Sequence, residues 1–405
     1  MSERFDLIVV GAGLAGATAA LAAAEAGAKV LVCDAGQGAS LHWSGMGHLF
    51  GPIAPPPAAV GSLPTVASSS RKWGPGERMA ALGQACPNHP FVQLGWGADE
   101  VQRRTERALR LLGLEATLQP RALALPVTEG LLRSADLVPA GMMTTAQRSP
   151  TFVGFAAMPS CAATWLAAMW RDAGLGEAES FEVATPHRWG GLLQAAAATA
   201  AWDVEVWFGL LRAAPGEGAL VLPPLLGATF ERAASLRAAL SERLGRPVLE
   251  LATTTEPAWG LRLRAQLDRA LAEAGVARAG ALGGAAEPFA SGWRVSSGLL
   301  ETEAAVLVMA TGSSSWRGSA AVDARWTTPS GASVDATGPQ PWLPQGSGVR
   351  GIATDRRLAV LGERRLFACG GALAGHDAAR DQTAFGLAVA TGIEVAKQAL
   401  EEAAR

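Results

Sequence analysis

Gly11-Ala12-Gly13-Leu14-Ala15-Gly16 has the spacing of a turn that receives a diphosphate. The first glycine permits a tight turn, and the second lets backbone approach a phosphate with no Cβ in the way. The third lets a helix pack closely on a strand. The amides of Leu14 and Ala15 then fall at a helix N-terminus, where free N–H groups and a partial positive charge favour an anion. Asp34, followed by Ala35, sits where a carboxylate binds the ribose hydroxyls of an adenosine. Residues 40–50, S-L-H-W-S-G-M-G-H-L-F, hold two of the five histidines, His42 and His48. No third or fourth ligand is in view, so no metal centre is expected there. Small residues such as Ser40, Ser44 and Gly45 suit a strap whose backbone N–H groups reach phosphate oxygens.

The surrounding pattern supplies the elements that such a turn needs. Residues 5–10, F-D-L-I-V-V, read as a strand buried on both faces of a parallel sheet. The alanine-rich run after Gly16 reads as a helix closed by Gly27, and residues 29–33 read as a second strand ending at Asp34. This is a complete βαβ dinucleotide unit. It serves NAD and FAD alike; its place at the start of the chain favours flavin, and Asp34 argues against NADP.

Two later stretches return the chain to the same neighbourhood. An apolar strand, A-A-V-L-V-M, runs into Ala310-Thr311-Gly312, and Leu366 to Cys369 runs into Gly370-Gly371. A helix is expected from about Thr383 and Ala384 to the C-terminus, its N-terminus aimed at the flavin ring. Flavoproteins often carry Gly-Asp at the last turn; here the pair is Gly370-Gly371, so Asp377 is the candidate for the ribityl hydrogen bond.

Composition narrows the class. Net charge is -2, which gives no basic excess for nucleic acid or an anionic membrane surface. Cys33, Cys86, Cys161 and Cys369 lack C-x-x-C spacing, so free thiols in a reducing cytosol are expected, with no iron-sulfur or zinc framework. The first residues form a charged strand lead-in rather than a signal peptide, and no apolar tract is long enough to span a bilayer. After Phe50 a Pro/Gly/Ser connector leads away. Strands at 151–156, 219–222 and 247–251 and helices at 161–173 and 229–244 then read as a separate α/β region. A helix at 263–276 and a hairpin over 293–302 lead back. The expected fold class is α/β: a Rossmann-like FAD-binding domain of the GR2 type with an inserted α/β second domain. The flavin domain comprises residues 1–65 plus 257–405, and residues 66–256 form an inserted cap, substrate or interaction domain.

With those landmarks in place, the chain resembles the B subunit family of anaerobic glycerol-3-phosphate dehydrogenase, within the flavoproteins that include fumarate reductase. The matching stretches are F-D-L-I-V-V-G-A-G-L-A-G, G-A-S-L-H-W-S-G, F-V-G-F-A-A-M-P-S, V-L-P-P-L-L-G, P-A-W-G-L-R-L, G-I-A-T-D and L-F-A-C-G-G-A-L-A-G-H-D. The resemblance implies a flavin-binding electron-transfer subunit. Its partners would be a catalytic flavoprotein subunit and an iron-sulfur subunit that passes electrons to membrane quinone. It implies a cytoplasmic location, peripheral to the inner membrane through those partners. The family flavin is FMN, whereas Asp34 and the intact glycine turn favour FAD, bound without a covalent link. A stand-alone FAD-dependent oxidoreductase with a small organic substrate between the domains is the other reading. The resemblance also sets His42 and Ser44 along the flavin, and relatives of the fumarate reductase type make His42 the candidate for a covalent flavin bond. Arg262, Arg380 and His376 are candidates for substrate anion or proton handling, each with a structural role as its alternative. His89 and His187 carry no functional reading.

Overall fold

The computed structural model describes residues 4–34, 38–51, 73–156, 158, 161–184, 189–253, 258–280, 284–289, 291–297, 300–312, 326–327 and 351–405. Ala35, His187 and the connector after Gly51 lie outside them, as does the side chain of Arg380.

β1 (Arg4–Val10) buries Leu7, Ile8 and Val9 completely, because both of its faces are covered. It pairs in parallel with β2 (Val30–Asp34), Ile8 opposite Leu31, and with β12 (Leu300–Met309), Ile8 opposite Leu307. β9 (Ala277–Gly280) continues the parallel sheet beyond β2, and β14 (Leu366–Ala368) flanks the end of β12. Between β1 and β2 runs α1 (Leu14–Glu25), whose residues from Leu14 to Ala23 are all buried. Alanine is the best helix former, and its short side chain lets α1 lie close to neighbours on every side. One of them is the closing helix α9 (Ala384–Ala403).

β12 joins the antiparallel and parallel parts of one eight-stranded sheet. Its first half pairs antiparallel with β11 (Gly292–Ser297), which pairs with β10 (Gly284–Phe289), and β10 pairs in parallel with the short β13 (Trp326–Thr327) at the edge. Its second half lies between β1 and β14 in the parallel sheet. The hairpin over 293–302 and the apolar run after it therefore share one ten-residue strand.

The inserted region has its own sheet. β5 (Thr151–Phe155), β6 (Glu179–Val183), β7 (Leu220–Leu222) and β8 (Val248–Glu250) are parallel, in the order β6-β5-β7-β8. Around it lie α4 (Ala163–Asp172), α5 (Leu192–Thr199), α6 (Val204–Leu211) and α7 (Phe230–Leu244). Its core runs from Met143 to Ala258 and is rich in tryptophan: Trp170, Trp189 and Trp207 are buried. Residues 75–114 lie within the span expected to form the insertion, yet they contribute Met79, Leu82, Phe91, Leu109 and Leu112 to the first core. They include α2 (Pro75–Ala85) and α3 (Ala98–Leu112); α3 turns Val101, Thr105, Ala108, Leu109 and Leu112 inward and packs on α1 and α9. A hairpin, β3 (Ala116–Pro126) with β4 (Leu132–Pro139), stands between the two cores.

α8 (Ala258–Glu273) is the crossover that brings the chain back to β9, and it carries the clamp between the two cores. Arg262 donates from Nη1 and Nη2 to the two carboxylate oxygens of Glu250 on β8, both at 2.8 Å, and from Nε to the carbonyl of Gly227 at 2.9 Å. Neither side chain reaches solvent. Burial alone raises the Glu250 carboxyl; the two arginines beside it, Arg262 and Arg237, and the amide of Leu226 bring it below its ordinary 4.5. The folded-state value is depressed, so the stabilisation is complete above 4.5 and is lost as pH falls through the folded value. Truncating Glu250→Ala strands a buried guanidinium, at a cost of about 3–5 kcal/mol. Urea unfolding of the variant at neutral pH checks this. The double variant Glu250→Leu with Arg262→Met is expected to recover most of the loss.

Candidate flavin-binding site

The glycine turn after β1 is built as its spacing requires. Gly11 has φ +111°, and a Cβ there would stand 2.3 Å from the carbonyl oxygen of Ala310 at the end of β12. A Cβ at Gly16 would stand 1.8 Å from the oxygen of Gly11, so α1 sits directly on its own turn. Gly13 differs, since a Cβ there would approach only the Ser40 hydroxyl, at 3.2 Å. Gly13 is the N-cap of α1 and no side chain of the helix caps it, nor is there an acid in the first turn. The orphan amides of that turn are therefore kept for something outside the helix. One of them, Leu14 N–H, donates to Ser40 Oγ at 2.8 Å.

Ser40 belongs to a short 3-10 turn, Ala39–His42, that opens the strap. The strap is held along its length. A Cβ at Gly260 of α8 would lie 1.7 Å from the Leu41 carbonyl, so strap and helix meet backbone to backbone. Thr253 N–H donates to the Ser44 carbonyl, and Gly47 exchanges hydrogen bonds with Leu137 on β4. Leu49 N–H donates to Asp136, which pairs with the buried Arg78, and Arg78 also donates to the Gly51 carbonyl. Gly386 N–H in the first turn of α9 reaches the His48 carbonyl. His42 is exposed, whereas burial holds the His48 imidazole below its ordinary value. Gly45 is buried and Ser44 half-buried, its hydroxyl accepting the Met46 amide.

The remaining cofactor candidates converge on the same edge of the sheet. Ala310 N–H bonds to Val10 O, which sets Thr311 and Gly312 beside the glycine turn. Gly370 begins a 3-10 turn at the end of β14, with its amide on the Thr391 hydroxyl of α9, and Gly371 follows. A Cβ at Gly370 would meet the Ala15 side chain at 2.5 Å, so the last turn touches the first helix. Ala384 is exposed at the start of α9. Asp34, at the end of β2, is engaged by two guanidinium groups: Arg278 Nη2 at 2.7 Å and Arg264 in closer contact. A carboxylate offers about four acceptor positions, so a ribose would share it with these arginines. Nothing local in the sequence points to Arg264 or Arg278. Cys33 and Cys369 lie behind the turns, and burial pushes their thiols up to about 11 and about 12, which suits inert packing.

The three candidates for substrate or proton chemistry part company. Arg262 is the clamp between the two cores. Arg380 lies in the short helical turn Ala378–Asp381. His376 is buried against Asp381, its Nδ1 3.6 Å from Oδ2. Close by is His89, which has no distinguishing signal in the sequence. Its Nε2 lies 2.9 Å from the Thr383 hydroxyl and 4.0 Å from the same Asp381 oxygen, while its Nδ1 accepts the Phe91 amide. Asp377 N–H donates to Asp381 Oδ2 at 2.7 Å.

A helix N-terminus with no acid in its first turn, a glycine whose Cβ would meet no backbone and a serine hydroxyl on the first helix amide fit the diphosphate of a dinucleotide. The comparisons agree. Residues 6–160 match the family of the FAD binding domain. Over 142 residues the chain is 31% identical to the B subunit of anaerobic glycerol-3-phosphate dehydrogenase from Mannheimia succiniciproducens, a match covering 34% of this chain and 30% of that protein. Among solved structures it is similar to Mycobacterium smegmatis Sdh1 in complex with UQ1, with 11% identity, 99% of this chain and 69% of that one covered, and a TM-score of 0.42. It is also similar to 3-ketosteroid Δ1-dehydrogenase from Sterolibacterium denitrificans, with 13% identity, 76% and 48% covered, and a TM-score of 0.32. The match thus spans under a third of the curated relative. Residues 6–160 carry an FAD binding domain, and the cofactor that its turn receives is FAD.

Two variants test the cradle. Gly13→Ala meets no backbone, so it is expected to fold normally while FAD affinity falls about tenfold, or ~1.4 kcal/mol, by titration of the apoprotein. Gly16→Val drives a side chain into the Gly11 carbonyl and is expected to yield a destabilised, colourless protein.

Proposed function

We propose that this chain is the flavin-bearing electron-transfer subunit of a dehydrogenase complex, in the manner of the B subunit of anaerobic glycerol-3-phosphate dehydrogenase. The observation that carries the reading is the Ser40 hydroxyl on the Leu14 amide. It brings the strap G-A-S-L-H-W-S-G, which sets that family apart from other flavoproteins, onto the dinucleotide helix itself. The commitment of Arg262 favours electron transfer over a self-contained oxidase or dehydrogenase. Each of its three guanidinium nitrogens bonds to Glu250 or Gly227, which leaves it no role in holding an anionic substrate.

In this role the protein's own residues bind, orient and shield. Gly11, Gly13 and Gly16 receive the diphosphate, and Asp34 the ribose. The strap covers the bound group, and α9 directs its N-terminal amides toward it. Bound FAD would supply the exchange between two-electron and one-electron chemistry that links a dehydrogenase subunit to an iron-sulfur carrier. Among the described residues no helix is long and apolar enough to cross a membrane, so contact with quinone would fall to a partner.

Tagged chain expressed with its neighbouring genes tests this. The expected result is a yellow-brown complex that contains FAD and an iron-sulfur protein and reduces a quinone analogue with glycerol 3-phosphate. Full reduction of the isolated chain by a small substrate, without partners, would replace this reading with that of a stand-alone oxidoreductase.

A further inference from the structure

The acid at the end of β2 is held by a ring of charges drawn from three elements. Asp34 closes β2, Arg264 and Asp268 stand about one turn apart on α8, and Arg278 lies on β9. In the parallel register of β2 and β9, Val32 is opposite Arg278 and Asp34 is opposite Gly280. Side chains two residues apart on a strand share a face, so Arg278 projects on the same side of the sheet as Asp34.

Each arginine bridges both acids. Arg278 donates from Nη2 to Asp34 Oδ2 at 2.7 Å and pairs through Nη1 with Asp268 Oδ1 at 2.9 Å. Arg264 donates from Nη2 to the same Asp34 oxygen, in closer contact, and from Nε to Asp268 Oδ2 at 3.0 Å. Two cations and two anions thus close a ring with no net charge.

The ring adjoins the dinucleotide turn through the backbone. Gly11 N–H donates to the carbonyl of Cys33, the residue before Asp34, at 2.8 Å. Partly exposed ion pairs contribute little to folding, because water and salt compete for them. What the ring does fix is direction. Two guanidinium groups, one carried by a helix and the other by a strand, converge on Asp34 Oδ2 and hold the carboxylate in one rotamer.

We propose that Arg264 and Arg278 are positioning residues that aim the Asp34 carboxylate at the adenosine ribose, and that they thereby give the site its preference for FAD over FMN, which has no adenosine. The proposal rests on the reading of Asp34 as the ribose acceptor. A carboxylate that receives two guanidinium groups still has the acceptor capacity to receive ribose hydroxyls. With the ring intact, the rotamer is chosen before the ligand arrives. Without it, binding must order the side chain, at a cost of about three- to tenfold in affinity.

The test is titration of the full-length apoprotein with FAD and, separately, with FMN. It compares wild type, Arg264→Met, Arg278→Met, Asp34→Asn and the double variants that join Asp34→Asn to each arginine change. Each arginine change is expected to weaken FAD about three- to tenfold and to leave FMN unchanged. Beside Asp34→Asn, which should itself weaken FAD alone, neither arginine change should have a further effect. Arginine variants that bind FAD as well as wild type overturn the proposal. So do variants that bind it more tightly, because the guanidinium groups would then compete with the ribose for Asp34. An arginine effect that persists beside Asp34→Asn, or that extends to FMN, also overturns it, since general attraction of the cofactor phosphates would account for such a result. Unchanged FAD affinity in Asp34→Asn would instead remove the ribose reading itself, and the proposal with it. Urea unfolding of each apoprotein checks the fold. Arg278 is the more exposed of the two arginines, and if Arg264→Met does not fold, the Arg278→Met results decide.

Discussion

The Leu41 carbonyl fills the space that a side chain at position 260 would need. This contact sets the height of the strap above the dinucleotide turn, and much of the site follows from it. With α8 behind Leu41, Ser40 is pressed onto the N-terminus of α1, and the chain from Ser44 to Phe50 is steered past Thr253, Leu137, Asp136 and Gly386 in turn. Any residue but glycine at 260 would lift the strap and separate the serine hydroxyl from the helix amides. The flavin cradle is thus an assembly of three backbones, and its side chains are mostly small because large ones would hold those backbones apart.

Charge is used in two different ways around that assembly. Arg262 and Glu250 are fully withdrawn from water and saturate each other, so they fix one core against the other and contribute nothing to ligand recognition. Asp34, Arg264, Arg278 and Asp268 form a half-exposed network at the tip of β2. Screening and competition from water make such a network weak and adjustable. In the proposed role a ribose would enter it at small cost. The rigid pair sits between the two cores, and the yielding one sits at the tip of β2.

Much of this is legible in the sequence where the signal is local. The βαβ unit, the turns at Ala310 and Gly370, the closing helix and three of the four strands of the inserted sheet lie within a few residues of their expected positions, because each is marked by an apolar run; β6 (Glu179–Val183), with Glu179, Ser180 and Glu182 in its five residues, has no such mark. The partners of those elements are less legible. The periodicity of α3 shows that Val101, Ala108, Leu109 and Leu112 face inward, but not that they face α1 and α9 rather than the insertion. The β3–β4 hairpin is hidden because its register shifts between Leu118 and Leu123 and breaks the alternation that marks a strand. His89 meets Thr383 and Asp381 from almost the other end of the chain, and Arg278 meets Asp34 across the whole insertion. Such pairs leave no trace in local pattern.

The placement of the insertion within the crossover from β2 to β9 has a consequence for how the chain is made. β1 is flanked by β2 on one side, but its other neighbour, β12, emerges only after the entire second core has been synthesised. During that interval the nascent βαβ unit exposes Leu7, Ile8 and Val9 along an unsatisfied strand edge. Two of the three pairings in the inserted sheet, β5 with β6 and β7 with β8, join strands adjacent in sequence, so they close shorter loops than β12 closes on β1. β1 is therefore made before the insertion but gains its second strand neighbour only after it.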